Sequence, residues 1–251
     1  MNAPAIQKKN ISILSQNIRF INKKKNELNN FLNSVNPNFV CLSETALFDY
    51  EMQNFTLSGY TVVSSYCRKE KHRGGGIMIL ENVENNCCSE EINIEQFCED
   101  KIFEANAIKV KKSASKFFLL LTVYRAPYND KKSVDCFFQH FNDVLEYLTQ
   151  FCREIIVTGD FNICILKDDS KSETLVETLS LFDLQLLIDK PTRITPNCSS
   201  AIDLVMSNLR ENLIKTQIIS SDLSDHEATL TFVEHESQKN KVNFKFGRKT
   251  G

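Results

Sequence analysis

The stretch Ile155-Ile156-Val157-Thr158-Gly159-Asp160-Phe161-Asn162 joins a short apolar, β-branched run to a polar end. Such a run is typical of a buried strand whose last residues emerge at the edge of a sheet. Asp160 and Asn162 stand two positions apart, so both side chains point to the same face of an extended backbone. A carboxylate and an amide on one face can orient a water molecule or hold a phosphate oxygen and its metal ion. Because Gly, Asp and Asn also favour turns, an ordinary strand exit without a chemical role remains an open alternative for this stretch alone.

The composition indicates a globular chain with a sizeable core. Of its 251 residues, 42% are hydrophobic and 25% are charged, which is ordinary for a soluble domain. No apolar run approaches the roughly 20 residues that a membrane helix needs. There is no convincing internal repeat and no linker rich in Pro, Gly or Ser, so one domain is more economical than two.

The cysteines and charges narrow the setting of the protein. Nine cysteines occur without a repeated spacing and without a CxxC pair, and residues 1–10 lack the apolar segment of a signal peptide. Cys136 and His140 have helical spacing, but no second pair accompanies them, so we expect a reducing compartment and no structural metal. The net charge is −2, yet basic clusters such as Lys23–Lys25 and Lys109–Lys116 could form a local nucleic-acid footprint beside an acidic pocket. Such clusters are more often solvated faces.

Hydrophobic periodicity predicts about ten strands and three long helices, arranged as two packed sheets with helices outside. Besides the run at 155–157, strands are expected at 10–18, 39–42, 60–66, 76–80, 101–110, 117–124, 184–188, 201–206, 214–219 and 227–232, and helices at 23–35, 133–150 and 175–182. Residues 191–197 are expected to form a polar loop.

Polar residues follow or precede many of these strands, where layered sheets gather side chains into one crevice. The set comprises Asn17, Glu44, Tyr124, Asp160, Asn162, Asp203, Asp225 and His226. Glu44 with Asp160 or Asp225 supplies hard oxygen ligands for Mg²⁺. His226 can serve as a general base or face a phosphate if a carboxylate orients it, and Asp203, an acid inside an apolar strand, is the natural partner. No Ser or Cys stands in a nucleophile elbow, so metal-assisted attack by water suits this inventory.

The ordered motifs resemble the endonuclease/exonuclease/phosphatase family, which includes DNase I. They are Ser15-Gln16-Asn17-Ile18-Arg19, Leu42-Ser43-Glu44-Thr45, Gly159-Asp160-Phe161-Asn162, Ile202-Asp203-Leu204 and Ser224-Asp225-His226. A further set is similar to the endonuclease domain of LINE-type (non-LTR) retrotransposons. It comprises Arg73-Gly74-Gly75-Gly76, Val123-Tyr124-Arg125-Ala126-Pro127, Pro191-Thr192-Arg193-Ile194 and Leu223-Ser224-Asp225-His226-Glu227-Ala228.

The resemblance implies a DNase I-like fold, a four-layer α/β/β/α sandwich of two mixed sheets with flanking helices, and phosphodiester hydrolysis that depends on Mg²⁺, with Mn²⁺ as an alternative. It gives Glu44, Asn17 and Asp225 metal-binding roles, and gives Asp160, Asn162, Asp203, His226 and Tyr124 catalytic roles. Asp160 would activate the attacking water, Asp203 would orient His226 on the phosphate, and Tyr124 would stabilise the phosphorus centre. By analogy of loop positions, Arg125, Thr192 and Ser200 would contact DNA.

The same resemblance implies double-stranded DNA as the partner, a nuclear location, a monomer and a reverse transcriptase domain in the parent element. The enzyme would nick one strand and leave a 3′-hydroxyl that primes reverse transcription. We expect the domain to span residues 11–233, between a disordered N-terminus at 1–10 and a polar, basic tail at 234–251. Two alternatives stay open: a phosphatase or phosphodiesterase acting on another phosphate ester, and a decayed element that binds DNA without cutting it. The absence of Trp argues against a specialist for abasic sites.

Overall fold

The computed structural model describes residues 10–69, 74–84, 87–113 and 115–234. The strands of this part of the chain are β1 (Ile11–Asn17), β2 (Phe39–Ser43), β3 (Tyr60–Tyr66), β4 (Ile77–Asn82), β5 (Ser89–Ile92), β6 (Glu104–Ser113), β7 (Lys116–Tyr124), β8 (Ile155–Asp160), β9 (Gln185–Leu186), β10 (Arg193–Thr195), β11 (Cys198–Ser200), β12 (Asp203–Ser207), β13 (Ile214–Ile219) and β14 (Ala228–Val233). Its α-helices are α1 (Lys25–Val35), α2 (Asp49–Gln53), α3 (Lys131–Thr149) and α4 (Ser170–Leu181), and short 3-10 helices cover Ile21–Lys23, Glu95–Phe97 and Glu211–Leu213. The predicted disordered N-terminus and basic tail fall almost entirely on residues outside the described ranges.

Two six-stranded sheets contain twelve of these strands. The first has the order β13-β14-β1-β2-β4-β3, and the second has the order β5-β6-β7-β8-β12-β9. Each sheet contains one parallel pair, β1 with β2 and β7 with β8, and the chain crosses between the paired strands through α1 and α3. Parallel strands end at the same sheet edge, so these connections bring the polar residues after β1 and β2, and those after β7 and β8, to common edges.

Three apolar layers hold the elements together. Alternate residues of β1 show the division: Ile13 packs between the two sheets, whereas Leu14 packs against the helix side that carries α1. Phe141 of α3 and Leu175 of α4 pack on the outer face of the second sheet. Three apolar layers separate four layers of secondary structure, so the predicted α/β/β/α sandwich is confirmed. In the described part of the chain, no helix combines the length and the apolar character that crossing a membrane requires.

Several predicted elements need correction. The described residues contain fourteen strands rather than about ten, and residues 191–197 do not form a simple loop, because β10 pairs with β11 in an antiparallel hairpin. Each of these strands has only three residues and is mostly polar. Neither its length nor an alternation of apolar and polar residues therefore predicts a strand. Helix α4 begins at Ser170, five residues before its predicted start, because the Asp169 carboxylate accepts the N–H groups of Lys171 and Ser172.

Candidate active site

Asp160 lies in a row of three polar residues on neighbouring strands. In the register of the second sheet it faces Tyr124 of β7 on one side and Asp203 of β12 on the other. Gly159 makes this approach possible, because a Cβ atom there would lie 1.9 Å from the Val123 carbonyl oxygen, and its φ of +137° suits glycine. The close contact of β7 and β8 therefore fixes Tyr124 beside Asp160.

His226 and Asp203 form a buried pair. His226 Nδ1 lies 3.0 and 2.9 Å from the two carboxylate oxygens of Asp203, and the two side chains are 1% and 7% exposed. Burial alone would lower the pKa of His226, but the bond to Asp203 and the charges of Asp203 and Asp160 raise it above its ordinary value. His226 Nε2 is buried and has no hydrogen-bond partner among the described residues. A buried polar atom without a partner is costly, so this nitrogen is suited to meet a ligand.

Thr192 fixes the orientation of Asp203. Its hydroxyl donates to Asp203 Oδ2 over 2.9 Å and accepts the N–H groups of Asp203 at 2.9 Å and Ile202 at 3.1 Å. The side chain is completely buried. Its contacts therefore serve positioning, and they leave no polar atom directed at solvent for the DNA contact that the resemblance implied.

Asn17 connects the carboxylates of Glu44 and Asp160. Its Nδ2 atom donates to Glu44 Oε1 over 2.9 Å and to Asp160 Oδ2 over 2.8 Å. Burial, followed by the charge of Asp203, raises the pKa of Asp160 to about 7, with a further contribution from Glu44. Two carboxylates that share one amide donor are short of positive charge, and they offer the hard oxygen ligands that Mg²⁺ prefers. These residues fit a divalent cation.

Arg125 and Asn162 hold each other at the end of β8. Asn162 donates from its backbone N–H to Asp160 Oδ1 over 2.9 Å, and from Nδ2 to the Arg125 carbonyl over 2.7 Å and to Asp160 Oδ2 over 3.2 Å. Arg125 in turn donates to the carbonyls of Asn162 and Tyr128. The Arg125 side chain is buried, so this structure does not present it to DNA, and Ser200, at the end of β11, is 9% exposed.

Asp225 lies between two arginines. Its carboxylate oxygens bind Arg19 Nη1 at 2.7 Å and Arg193 Nε at 2.8 Å. Burial would raise the pKa of Asp225, but the hydrogen bond from Arg193 and the charge of Arg19 lower it. Ligand atoms of Asp160, Asp203 and His226 lie within 4.8 Å of one another, and Asp225 is not a member of this cluster. The resemblance implies that the Asp225 carboxylate lies at the metal ion, but in this structure it binds two guanidinium groups.

Tyr124 lies under the site and keeps its proton. Burial and the charges of Glu44 and Asp160 raise the pKa of its hydroxyl. The Arg68 guanidinium lies 5.8 Å from the ring centre and binds Glu104, which also accepts the Gly76 N–H over 2.6 Å. Gly76, the last residue of the motif Arg73-Gly74-Gly75-Gly76, thus binds Glu104, which pairs with Tyr124 in the second sheet. Arg73 itself lies outside the described residues.

Sequence reasoning missed the contribution of Gln16 and Ser224. Gln16 Nε2 donates to the carbonyls of Asn17 at 2.8 Å and His226 at 3.0 Å, and the Ser224 hydroxyl donates to the Asn17 carbonyl over 2.7 Å. Ser224 Oγ also accepts the His226 N–H over 3.1 Å. This contact has a sequence signal, because a serine two residues before another residue commonly accepts its N–H in a turn. Gln16 carries no comparable signal.

Comparisons with known proteins show what this chain is similar to. Residues 118–230 match the family model described as "Endonuclease-reverse transcriptase". The endonuclease domain of TRAS1, a telomere-specific non-LTR retrotransposon, has a similar structure, with a TM-score of 0.71 and 16% identity over 91% of this chain and 100% of that one. No curated protein matches the chain by sequence.

Two further solved structures share the fold. The 3′ phosphatase NExo from Neisseria, bound to a product DNA hairpin, has a TM-score of 0.66 at 13% identity over 89% of this chain and 99% of that one. The catalytic domain of Xenopus laevis APE2 has a TM-score of 0.64 at 16% identity over 89% and 91%. The resemblance that the sequence motifs indicated is confirmed, as is the two-sheet fold.

Proposed function

We propose that this chain is an enzyme of the endonuclease/exonuclease/phosphatase family, a Mg²⁺-dependent endonuclease that nicks one strand of DNA and leaves a 3′-hydroxyl. The observation that carries the proposal is the buried Asp203–His226 pair, of which His226 Nε2 has no hydrogen-bond partner among the described residues. Ligand atoms of both residues lie within 4.8 Å of one of Asp160. This arrangement provides a donor for a phosphate oxygen and a base for water within one site.

Asp160 is the proposed base. With a pKa of about 7 it is partly deprotonated near neutral pH, which is the range in which a carboxylate can take a proton from water. Asn162 donates twice to this carboxylate and keeps it in one orientation. The attacking water would lose its proton to Asp160 as its oxygen bonds to phosphorus. The bond from phosphorus to the 3′-oxygen would break, and the 3′-oxygen would take a proton from solvent water to leave as the hydroxyl.

His226 and Tyr124 are the proposed donors to the phosphate. The raised pKa of His226 favours the imidazolium, in which Asp203 binds Nδ1–H and Nε2–H is left for a phosphate oxygen. The Tyr124 hydroxyl also keeps its proton, so it can donate as negative charge develops on the substrate. Arg125 and Thr192 act in this scheme by holding Asn162 and Asp203.

Glu44 would hold the metal ion, with Asn17 and Asp160 beside it. Mg²⁺ supplies a Lewis acid for the phosphate, and Mn²⁺ would serve the same ligands. Asp225 would act near this ion through Arg19 and Arg193, which it keeps beside His226.

The surface around the site supports a DNA substrate. Arg19 and Arg193 are each about one-third exposed, and Ile194 projects from the β10–β11 hairpin with 56% of its surface exposed. Arg193 forms a backbone bridge to His226, so this hairpin lies next to the proposed donor. We infer that the hairpin contacts DNA and that Ser200 belongs to this contact surface. A reverse transcriptase domain in the parent element, a monomeric endonuclease and a nuclear location complete the proposal.

Nicking of supercoiled plasmid with Mg²⁺ tests the function. We expect the wild type to produce open circles, and His226→Ala and Glu44→Ala to abolish this product while Glu177→Ala, an exposed carboxylate on α4, does not. A DNA polymerase should extend the purified nick without prior phosphatase treatment, as a 3′-hydroxyl requires.

Three outcomes would contradict the proposal. Folded wild type that binds duplex DNA but never nicks it would indicate a DNA-binding remnant. Release of phosphate from a 3′-phosphorylated oligonucleotide without nicking would indicate a phosphatase. Nicking that survives both His226→Ala and Glu44→Ala would place the reaction elsewhere.

A further inference from the structure

A second cluster of metal-binding groups lies on α3, outside the proposed active site. Cys136 and His140 are one helical turn apart, and Glu99 reaches them from the segment between the 3-10 helix Glu95–Phe97 and β6. Glu99 Oε2 lies 3.0 Å from His140 Nε2 and 3.4 Å from Cys136 Sγ. One carboxylate oxygen, one thiol and one imidazole nitrogen therefore converge from two parts of the chain.

Phe103 holds this cluster in place. The Glu99 N–H donates to the Phe103 carbonyl over 2.8 Å, and the Phe103 N–H donates to the Glu99 carbonyl over 2.9 Å. The Phe103 ring, which is fully buried, stacks on the His140 ring with centroids 6.1 Å apart and planes inclined by 21°. The Glu99 backbone and the His140 ring thus both contact the same buried residue. Binding of a ligand would therefore require little further ordering of these two residues.

We propose that Glu99, Cys136 and His140 bind a Zn²⁺ ion, with a fourth position open to water or an external ligand. The donor set points to this metal, since zinc accepts sulfur, nitrogen and oxygen ligands, whereas Mg²⁺ takes oxygen. Ligands about 2.0–2.3 Å from zinc lie roughly 3.3–3.8 Å apart in a tetrahedron. The spacings at Glu99 are close to this range, so small side-chain movements would complete the site.

The sequence reveals only half of this site. Cys136 and His140 have helical spacing, but Glu99 lies 37 residues before Cys136, and its approach depends on how β6 and the preceding turn pack on α3. The expectation that no structural metal is present followed from the missing second Cys or His pair. In the proposed site the Glu99 carboxylate is the third ligand, and the fourth position needs no protein residue.

The plain alternative is a partly exposed ion pair between His140 and Glu99, with Lys132 one turn away and Cys136 adjacent by chance. The two possibilities differ in the thiol. An ion pair does not need Cys136, whereas a zinc site binds its thiolate, which must lose its proton to the solution when the metal binds.

Measuring the binding of cobalt and zinc to the purified, chelator-treated protein distinguishes the zinc site from the simple ion pair. The Glu44→Ala variant is the background, because it removes the carboxylate proposed to hold the active-site metal ion. We expect one Co²⁺ per chain with a thiolate-to-cobalt charge-transfer band, displaced by Zn²⁺. Cys136→Ser should remove the band and weaken Zn²⁺ binding by at least about tenfold. Cys88→Ser, which removes an exposed cysteine elsewhere, should change neither.

The readout is metal binding rather than nicking, so it does not depend on the proposed endonuclease activity. A band that persists in Cys136→Ser, or zinc affinity that His140→Gln leaves unchanged, would overturn the proposal. Absence of any band in protein whose circular dichroism shows it to be folded would do the same.

Discussion

Two histidine–carboxylate pairs occur in this molecule in different surroundings. His226 and Asp203 are almost fully buried at the edge where β12 begins, whereas His140 and Glu99 are 23% and 53% exposed on the outer side of α3. In the first pair the histidine bonds through Nδ1, and its Nε2 has no partner within the part of the chain that the structure describes. In the second pair Nε2 makes the bond to Glu99.

The comparison shows how burial changes the role of the same two groups. The buried Thr192 hydroxyl donates to the Asp203 carboxylate and itself accepts two backbone N–H groups, and nearby Asp160 adds a second negative charge. Because the buried site has a low local dielectric, gaining a proton or binding a phosphate changes its electrostatic energy strongly. At Glu99 solvent screens the pair, so its electrostatic contribution is small and a bound metal would have to supply any strong interaction.

The largest difference between the pairs should appear in nicking rate. Asp203→Asn removes the charge that favours the His226 imidazolium, and we expect a loss of about 10²–10⁴-fold, the range for a lost general acid–base group. Glu99→Gln is the matched change in the other pair and should leave the rate unchanged. Single-turnover plasmid nicking with Mg²⁺ measures both. Equal rates for the two variants would show that burial of Asp203 has no catalytic consequence.

The pH dependence of stability should also separate the pairs. In metal-free protein the pKa of Asp160 is raised from 3.8 to about 7 and that of His226 is also raised, so the folded state holds protons more tightly than the unfolded state. The stability from these groups is present at low pH and is lost as pH rises through about 7. With chelator present, we expect the urea midpoint to decrease over this pH range. The corresponding loss in the free energy of unfolding should be up to a few kcal/mol.

The control for this trend is a pair of Asp→Asn changes. Asp160→Asn should flatten the fall, while Asp168→Asn, an exposed carboxylate before α4, should preserve it. A fall of the same size in Asp160→Asn would show that this carboxyl is not the buried acid responsible.

Thr192 offers a smaller perturbation of the buried pair. Thr192→Val keeps the shape but leaves Asp203 and two N–H groups without the hydroxyl, so we expect about 1–3 kcal/mol of destabilisation by urea unfolding and roughly tenfold slower nicking. Thr192→Ser keeps the hydroxyl and should restore most of the rate. If serine performed as poorly as valine, the methyl group rather than the hydrogen bonds would be the important feature.

The smallest effect is expected at the exposed pair. Without zinc, His140→Gln removes one partly exposed ion pair and should change stability by at most about 1 kcal/mol. Urea unfolding with chelator measures this. A loss several times larger would mean that packing of His140 on Phe103, and not its bond to Glu99, holds this part of α3.

Much of the fold could be predicted because buried strands and amphipathic helices carry their periodicity in the sequence. The runs before Asn17 and Asp160 marked β1 and β8, and the phenylalanines of α3 marked its buried face. The β10–β11 hairpin escaped prediction because its strands have three residues each. Its conformation depends on distant contacts, such as the bridge between Arg193 and His226.

Some of the residues predicted for the site lie together in the structure, but their contacts with one another could not be predicted. Asp203 was identified as the partner of His226 because an acid within an apolar strand needs one, and the structure brings them together. The burial of Thr192 and Arg125, and the two arginines on Asp225, depend on how loops fold over the strand ends. No local pattern of residues encodes those contacts, and no pattern around Glu99 predicts its contact with α3.

The apolar layer between the two sheets has a consequence for activity. Asn17 is the last residue of β1 and His226 lies just before β14, both in the first sheet, whereas Asp160 and Asp203 belong to the second. The packing of residues such as Phe118 between the sheets therefore sets the distance between the two halves of the site. Because misplacement by about 1 Å can cost on the order of 10²-fold in rate, sliding of one sheet on the other would stop turnover while the chain stayed folded. Catalytic rate is thus a sensitive gauge of how the two sheets are aligned.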